Sequence, residues 1–373
     1  MDRDVRVSPP PASANASGMP APACNRVDPA DPRYSRQVRL AQVGAAGQAR
    51  LSQARVLVLG LGALGSVVAE LLARAGVGRL LIVDRDIVEP SNLQRQTLYT
   101  PADVGSAKAE AAERRLRDIN PDIDVQARGI DADAGWLLEN LPAVDVAVDA
   151  TDNATTRYIL NDAAVACRRP WVYGGAVGTQ GRAAAFAPER GGACLRCVYP
   201  TPPGPGELET CDTAGVFSGV TAAVAAWQVQ LTLRLLLEPN WSPRQLVWLD
   251  GWSLRTGTLD LGETGCETCR GTTRAFLQAS PAPAVQLCGR STVQVRPARP
   301  GRTDLVEVER RWRSLGDVHL TPYLLRVLGP SPGLPEGVVR ATLFADGRLL
   351  LEGPIATADV ARLRSVYDRL VGG

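Results

Sequence analysis

The sequence has almost no lysine and almost no histidine. Of its 41 basic residues 40 are arginine, so Lys108 is the sole lysine, and His319 is the sole histidine. His319 stands in a stretch that alternates apolar and polar residues, which predicts a partly buried strand residue and argues against a mechanism centred on a histidine base. A lone lysine in an arginine-rich chain marks a place that needs a compact ammonium group, as phosphate contact does.

Long apolar runs and one-sided charge are also lacking. The longest apolar runs, such as 56–59 and 80–83, are far shorter than a membrane span and are typical of buried parallel strands. Basic and acidic residues are interleaved, without the basic stripe that nucleic-acid binding leaves. We therefore expect neither a nucleic-acid nor a membrane partner. Residues 1–32 lack the apolar segment of a signal peptide, which predicts a disordered extension on a cytoplasmic protein.

Strand and helix patterns alternate from residue 54 onward. This alternation predicts an α/β domain with a doubly wound, Rossmann-like and mostly parallel sheet. The first unit is a buried strand, a glycine turn, an amphipathic helix and a second strand that ends at Asp84. The further predicted segments are helix 106–119, strand 123–128, a helix after Asp133, strand 144–148, helix 155–165, strand 170–173, a glycine-rich hairpin through Gly181 and a long, largely buried helix over 217–237.

A Pro/Ala-rich segment, QASPAPA at 278–284, predicts a second domain boundary. We divide the chain into an extension (1–32), a nucleotide-binding domain (33–270), a linker (271–290) and a small α+β domain (291–373). The last domain contains no recognisable catalytic constellation. Its predicted elements are strand 292–295, helix 305–315, strand 318–327, a hairpin that turns at 346–347 and a final helix that begins near residue 357.

The glycine turn is the first candidate site. Gly60, Gly62 and Gly65 lie between a strand and a helix, where backbone amides and a helix N-terminus face phosphate groups. Asp84 ends the next strand, where a carboxylate can bind the ribose hydroxyls. This pattern fits any Rossmann protein, so an NAD-dependent oxidoreductase remains an alternative.

A polar loop and the lone lysine follow that second strand. Ser91, Asn92, Arg95 and Gln96 occupy the loop, and Lys108 opens the next helix. Together they place two cations and an amide around a triphosphate, which dinucleotide enzymes do not need. Taken singly, Arg95 is better explained as a surface or ion-paired arginine, whereas phosphate contact is the better interpretation of Lys108.

Two CxxC pairs predict a metal site. Cys194 and Cys197, together with Cys266 and Cys269, supply four thiolates for a closed, tetrahedral and therefore structural zinc site, with redox pairs as the less favoured alternative. Cys211 precedes the long helix, whose N-terminus can lower a thiol pKa. A reactive and an unreactive thiol are equally compatible with that position.

These motifs resemble the ThiF/MoeB/HesA family of ubiquitin-activating-type adenylyltransferases over residues 33–270. The matching residues are RYSRQ at 33–37, the glycine turn, Asp84, SNLQRQ at 91–96, Lys108, DATDN at 149–153 and both CxxC pairs. The resemblance implies a homodimer that binds ATP and Mg²⁺. It also implies adenylation of the C-terminal glycine of a ubiquitin-like sulfur carrier that ends in Gly-Gly, of the MoaD or ThiS kind. The pathways implied are molybdopterin synthesis, thiamine synthesis and tRNA thiolation.

The resemblance also implies residue roles. Asp84 holds the ribose, Asn92, Arg95 and Lys108 hold the phosphates, and Asp152 holds magnesium; Arg36 reaches the phosphates from the neighbouring subunit, and Cys211 is a candidate for covalent chemistry with the carrier. Ser91, Gln96 and Asn153 complete the implied nucleotide site. An ionised carboxylate nucleophile needs no base, which agrees with the scarcity of histidine.

Two departures from the family pattern bear on function. Ala63 replaces a glycine that many members have in the turn, and nothing beyond residue 270 resembles a rhodanese domain. A separate sulfurtransferase or cysteine desulfurase is therefore the expected sulfur donor. Adenylation of a peptide or small acid, and a noncatalytic dimeric scaffold, remain alternatives.

Overall fold

The computed structural model of the protein describes residues 27–203, 211–262, 265–271, 274–278, 284–286, 292–298, 301–328, 333–354 and 360–372. Most of the predicted extension, residues 1–32, lies outside this range. Val27 is nevertheless buried in the core of the first domain. Ordered packing therefore begins before residue 33.

The first domain is built on a sheet of eight described strands in the order β3-β2-β1-β4-β5-β6-β7-β8. The first five are parallel and the last three are antiparallel. This confirms the predicted Rossmann-like, mostly parallel sheet. The strands are β1 Arg55–Leu59, β2 Arg79–Val83, β3 Asp124–Arg128, β4 Val146–Asp149, β5 Trp171–Val177, β6 Gln180–Phe186, β7 Gln245–Asp250 and β8 Arg255–Asp260.

Helices cover both faces of the sheet. Alternate residues of β1 point to opposite sides: Val56 and Val58 join one core, and Leu57 and Leu59 join the other. Strands buried on both faces are apolar throughout, as the sequence predicted. The helices are α1 Ser35–Val38, α2 Gly44–Gln53, α3 Ala63–Arg74, α4 Lys108–Ile119, α5 Ala134–Asn140, α6 Ala154–Cys167, α7 Leu195–Val198, α8 Cys211–Ala214, α9 Ser218–Leu237 and α10 Glu267–Arg270.

Helix α9 is long and apolar enough to cross a membrane by length and composition alone, and it is the one such helix in the described residues. It packs against α3, β5 and β6, so it belongs to the helical layer over the sheet. Only 44% of its most apolar window is buried. The expectation of a largely buried helix therefore holds for one face, and Trp227 lies on the exposed part.

The described part of the second domain has an antiparallel sheet in the order β11-β12-β13-β14-β10-β9 and two helices. Its core includes Trp312, whose Nε1 donates to the carbonyl oxygen of Leu370 at 2.8 Å. The fold is α+β, as predicted. The elements are β9 Ala284–Gln286, β10 Thr292–Val295, α11 Leu305–Trp312, β11 Asp317–Leu320, β12 Leu324–Leu328, β13 Arg340–Phe344, β14 Leu349–Glu352 and α12 Val360–Leu370.

The structure corrects three expectations in this domain. The strand predicted over 318–327 is two strands, β11 and β12, because the Thr321 N–H bonds to the Leu324 carbonyl at 2.8 Å and Pro322 has no N–H for a continuous ladder. Strand β9 lies inside the range 271–290 that we assigned to a linker. His319 lies in β11 but is exposed, not partly buried.

Candidate nucleotide site and cysteine cluster

The centre of the first sheet has a topological switch point. Strand β1 leads into α3 on one face, whereas its neighbour β4 leads into α6 on the other. The two connections diverge and leave a crevice at the carboxyl ends of the strands, the usual ligand position in open α/β sheets. The glycine turn follows β1, and the segment from Ala150 to Asn153 follows β4.

The three positions of the turn are glycine for different structural reasons. Gly60 has a φ of +90°, and a Cβ there would lie 2.7 Å from the carbonyl oxygen of Ala150. A Cβ on Gly65 would lie 1.9 Å from the carbonyl oxygen of Gly60. These two glycines therefore serve the fold. A Cβ on Gly62 would meet only Gln96 Nε2, at 3.9 Å, so the space over this residue is open to a ligand.

Asp84 links the glycine turn to the end of β2 through hydrogen bonds. One carboxylate oxygen accepts from the Leu61 N–H at 2.6 Å, and the other accepts from the Asp86 N–H at 2.7 Å. Burial raises the pKa of Asp84, and the charge of nearby Lys108 opposes that rise. The carboxylate thus shapes the turn itself; its predicted contact with ribose stays a prediction.

Lys108 is the first residue of α4, as the sequence predicted. Only 4% of it is exposed, and its Nζ lies 3.4 Å from Asp86 Oδ2. Two contacts hold its segment against the end of β2: the Lys108 N–H bonds to the Asp86 carbonyl at 2.9 Å, and Ala107 pairs with Ile87 in an antiparallel bridge. The ammonium group is therefore placed by backbone contacts before any nucleotide binds.

Tyr99 is a site residue that we did not predict. Its hydroxyl donates to the Leu61 carbonyl at 2.9 Å and lies 3.4 Å from the Lys108 carbonyl, so it links the glycine turn to the start of α4. Burial, followed by the charges of Asp84 and Asp86, raises the pKa of Tyr99 well above its usual value. The hydroxyl remains a donor. No motif spacing marks this residue.

The polar loop at 91–96 folds back on itself beside the turn. Asn92 is buried, and its Oδ1 accepts from the Glu89 N–H at 3.1 Å, which leaves its NH₂ group for other partners. Arg95 is half-buried and bonds to the exposed Ser91 through the Ser91 carbonyl at 3.0 Å. Gln96 is buried next to Gly62. The loop thus brings the Gln96 amide to the turn, while the Arg95 guanidinium bonds within the loop.

The end of β4 and the segment after it carry two aspartates in different environments. Asp149 is fully buried, and its Oδ2 accepts from Arg157 Nε at 2.6 Å. Asp152 is exposed, so a cation can reach its carboxylate, and its charge also helps to raise the pKa of nearby Arg157. Asn153 caps α6 by accepting from the Thr156 N–H at 3.1 Å.

Arg157 is the second site residue that the sequence did not single out. Besides Asp149, it donates to the carbonyl oxygens of Thr151 and Gly174, at 2.9 and 3.2 Å. Burial is the largest single effect and lowers the pKa of this guanidinium, but the charge and hydrogen bond of Asp149, together with smaller contributions from other nearby groups, outweigh burial, so the net pKa is raised. Its charge is therefore fixed, and it holds the loop that carries Asp152.

Arg36 lies away from the glycine turn of its own chain. Its neighbour Gln37 donates to the Ala75 carbonyl at 3.0 Å, at the C-terminal end of α3, whereas the turn is at the N-terminal end of that helix. A helix of this length is about 18 Å long, which exceeds the reach of an arginine side chain. Arg36 is also exposed.

The four predicted zinc ligands form one cluster. Their Sγ atoms are 3.6 to 4.0 Å apart in the four contacts Cys194–Cys197, Cys194–Cys266, Cys197–Cys269 and Cys266–Cys269. All four sulfur atoms lie within 4.8 Å of one another. A tetrahedral zinc with ordinary Zn–S bonds separates its sulfur ligands by about 3.8 Å, so the cluster fits this ion. Disulfides would require far shorter separations.

The cluster is anchored to α6. The Leu195 N–H, inside the first CxxC pair, bonds to Asn161 Oδ1 at 2.9 Å, and the Phe276 N–H, seven residues after the second pair, bonds to Asp162 Oδ2 at 3.2 Å, so both segments contact the same helix. A metal held by these four cysteines would therefore join the chain after β6 to the chain after β8. Cys211 begins α8, but its side chain lies outside the described residues, and its predicted chemistry stays open.

Known proteins are similar to this chain in sequence. The chain is 40% identical over 347 residues to the sulfur carrier protein ThiS adenylyltransferase of Bacillus subtilis. The alignment covers 91% of this chain and 99% of that protein. It is 44% identical over 209 residues to a sulfur carrier protein adenylyltransferase of Thermus thermophilus, covering 55% and 77%. Against adenylyltransferase and sulfurtransferase MOCS3 of Anopheles gambiae it is 42% identical over 205 residues, which is 46% of that protein.

Solved structures show the same fold. The structure of Escherichia coli MccB with ATP aligns with a TM-score of 0.55 at 22% identity, over 66% of this chain and 76% of that one. The sequence profile of the ThiF family matches residues 34–270, the range that holds the glycine turn, Lys108 and all four cluster cysteines. The chain belongs to the ThiF family.

Proposed function

We propose that the protein adenylates the C-terminal glycine of a ubiquitin-like sulfur carrier protein. The observation that carries the proposal is the similarity to the ThiS adenylyltransferase over 99% of that protein and 91% of this chain, which is too long to be confined to the first domain. The site geometry supports it, because an open glycine turn, an exposed Asp152 and a preplaced Lys108 follow neighbouring strands at the carboxyl edge of the sheet.

The chemistry follows from these groups. The carrier's terminal carboxylate attacks the α-phosphate of ATP, the bond to the β-phosphate breaks, and pyrophosphate leaves with the acyl-adenylate still bound. The carboxylate is already ionised at neutral pH, so the protein needs only to align it and to neutralise phosphate charge. Lys108 and the amide groups of the glycine turn serve that purpose.

A divalent cation and a zinc ion belong to the same proposal. Asp152 is the residue that would hold Mg²⁺, which when bound neutralises charge on the phosphates. The four cluster cysteines would hold zinc, which joins distant segments and takes no part in the reaction.

We further propose that the enzyme acts as a cytoplasmic homodimer with shared sites. The support is the position of Arg36, about a helix length from its own glycine turn, which is compatible with a role at the site of another subunit and not at its own. Exposed apolar side chains at the antiparallel end of the sheet, among them stacked Phe217 and Trp252, offer surface for a partner.

Among carriers, a ThiS-like protein is the first choice, since the ThiS adenylyltransferase matches over its whole length while the MOCS3 match covers about half of that protein. The acyl carbon of the acyl-adenylate is then attacked by a sulfur atom carried by a separate sulfurtransferase or cysteine desulfurase, and AMP leaves as the bond to its phosphate breaks. Cys211 remains the candidate for a covalent step with the carrier.

The test is ATP–pyrophosphate exchange by the purified protein with each Gly-Gly carrier from the same genome. We expect exchange to depend on Mg²⁺ and on one carrier, and to vanish when the terminal glycine of that carrier is removed. Stimulation by a short peptide or small acid alone would favour the alternative acceptor. Binding of NADH without ATP would favour an oxidoreductase.

Mixing two inactive variants tests the shared site. Arg36→Ala and Lys108→Ala each remove one group from every site of a homodimer. If Arg36 acts across the interface, a mixed dimer contains one site that lacks both groups and one that is intact, so statistical mixing restores about a quarter of the activity. A mixture that stays inactive, although subunits exchange, would contradict the shared site.

A further inference from the structure

We propose that the C-terminal domain positions Lys108 and Asp86 for the nucleotide, with Phe344 and Arg348 as its positioning residues. The inference rests on the proposed function, because it concerns affinity for ATP at the same site. It gives a role to a domain whose sequence contains no catalytic constellation.

The first contact is a small apolar cluster between the two domains. It contains Ile87 and Ala107 from the first domain and Leu324, Phe344 and Leu350 from the second, all of them buried. Ile87 and Ala107 are the two residues of the antiparallel bridge beside the site. The residue before Ile87 is Asp86, and the residue after Ala107 is Lys108. The C-terminal domain therefore covers the bridge that sets the spacing of this ion pair.

The second contact is made by Arg348, which is 3% exposed. Its Nη1 donates to the Arg85 carbonyl at 3.2 Å, and its Nη2 donates to the Gly129 carbonyl at 3.1 Å. These carbonyl groups follow the ends of β2 and β3, so one guanidinium holds both strand ends at the nucleotide edge. The guanidinium also lies 4.4 Å from the Phe344 ring, which joins this contact to the apolar cluster.

A third contact holds the Arg85 side chain. Asp131 lies between the domains, pairs with Arg296 and accepts from Gln294 Nε2 at 3.0 Å, both from the second domain. Its other carboxylate oxygen lies 3.4 Å from Arg85 Nη1. Burial raises the pKa of Asp131, but the charges of Arg85, Arg348 and Arg296 outweigh burial and lower it to about 2. Asp131 is therefore ionised at neutral pH and ties Arg85 to the second domain.

The three contacts act on one short segment. Residue 85 is held by its carbonyl and its side chain, residue 87 is packed in the apolar cluster, and Asp86 lies between them. The Asp86–Lys108 separation of 3.4 Å leaves little room for displacement before the pair opens. Small displacements of groups that contact a substrate can lower binding and rate strongly. Loss of domain docking should therefore weaken ATP binding.

The same interface offers a matched control. Tyr323 donates its hydroxyl to Glu113 Oε2 at 2.9 Å, on the second turn of α4 and away from the ion pair. Tyr323 also packs against the apolar cluster, and Tyr323→Phe keeps that ring while it removes the interdomain hydrogen bond. If the C-terminal domain acted only through general stability, this variant would resemble the others.

The experiment compares full-length Phe344→Ala, Phe344→Leu, Arg348→Met and Tyr323→Phe with the parent protein. The readouts are the Kd for ATP by isothermal titration, the KM values for ATP and carrier in the exchange assay, and thermal unfolding. We expect Phe344→Ala and Arg348→Met to raise Kd and KM for ATP roughly tenfold, with the KM for carrier unchanged. Phe344→Leu should restore most of the affinity, and Tyr323→Phe should match the parent.

Two outcomes would overturn the proposal. One is a folded Phe344→Ala or Arg348→Met protein whose Kd for ATP equals that of the parent. The other is a raised KM for the carrier with ATP binding intact, which would make the domain a carrier dock. Should Phe344→Ala fail to fold, Arg348→Met decides, because the apolar cluster remains. A parent protein that binds no ATP would instead refute the proposed function itself.

Discussion

At the nucleotide edge the candidate binding groups come from several segments of the chain. In the cysteine cluster all four ligands come from two short helices, α7 and α10, and the residue before each. In the cluster, ligand identity and CxxC spacing determine almost all of the geometry. At the nucleotide edge Lys108 is placed by backbone contacts with Asp86, Ile87 and the hydroxyl of Tyr99. A site like the cysteine cluster can be recognised from sequence spacing alone, whereas a site like the nucleotide edge depends on the tertiary fold.

The largest effect that would separate the two sites is expected for Lys108→Ala. Loss of the ammonium group should lower carrier-dependent exchange by about 10²- to 10³-fold, since it removes a preorganised group that stabilises transferred charge. Zinc content should stay at that of the parent protein, because the lysine does not contact the cluster. Exchange rates and metal analysis measure the two quantities.

Arg115→Ala is the control for Lys108→Ala. It removes an exposed cation from the same helix, α4, and should leave exchange unchanged. An equal loss in both variants would mean that the charge of α4 as a whole matters, not the placed ammonium group. Unchanged exchange in Lys108→Ala would support the noncatalytic scaffold.

The converse change is Cys197→Ser, which should affect metal content and stability before nucleotide binding. Removal of one thiolate from a closed zinc site lowers metal affinity, and the metal-binding free energy is folding free energy. We expect less than one zinc per chain and a loss of several kcal/mol in the free energy of unfolding. Elemental analysis and thermal unfolding check this, and the protein that remains folded should bind ATP normally.

Cys167→Ser is the matched control for the cluster. Cys167 ends α6 and is half-buried, and its Sγ lies 3.9 Å from the Leu138 carbonyl, outside the cluster. This variant should keep its zinc and nearly all of its stability. A Cys197→Ser protein that is as stable as the parent and equally rich in zinc would disprove the four-cysteine site.

The comparison also explains what the sequence could and could not predict. Local sequence properties predict three features. The hydrophobic period and the glycine positions predict the parallel sheet and the helix that begins at Lys108, and the CxxC spacing predicts the cysteine cluster. Tyr99 and Arg157 escaped prediction because each acts through backbone carbonyl groups of segments that are distant in the chain. The turn at Pro322 was missed because apolar residues continue on both sides of it.

The interdomain contacts were beyond prediction for the same physical reason. Arg348 gains its importance from two carbonyl groups more than 200 residues earlier in the chain. Arginine makes up nearly all of the basic residues here, so its presence at one position carries no signal. A functional contact made by a common residue to backbone atoms leaves no pattern in a single sequence.

The smallest effect expected at the nucleotide edge is that of Tyr99→Phe, and Tyr34→Phe is its counterpart elsewhere in the same core. Tyr99 donates to the Leu61 carbonyl at 2.9 Å, and Tyr34 accepts from Asn120 Nδ2 at 3.0 Å. Each variant loses one buried hydrogen bond, so each should lower the free energy of unfolding by about 1 kcal/mol. Only Tyr99 joins the glycine turn to Lys108, so only Tyr99→Phe should also raise the Kd for ATP, by roughly threefold to tenfold. Urea unfolding and ATP titration of both variants measure the two quantities separately. If both variants weakened ATP binding equally, nucleotide affinity would follow the stability of the whole domain, and the contrast between a positioned site and a self-sufficient cluster would fail.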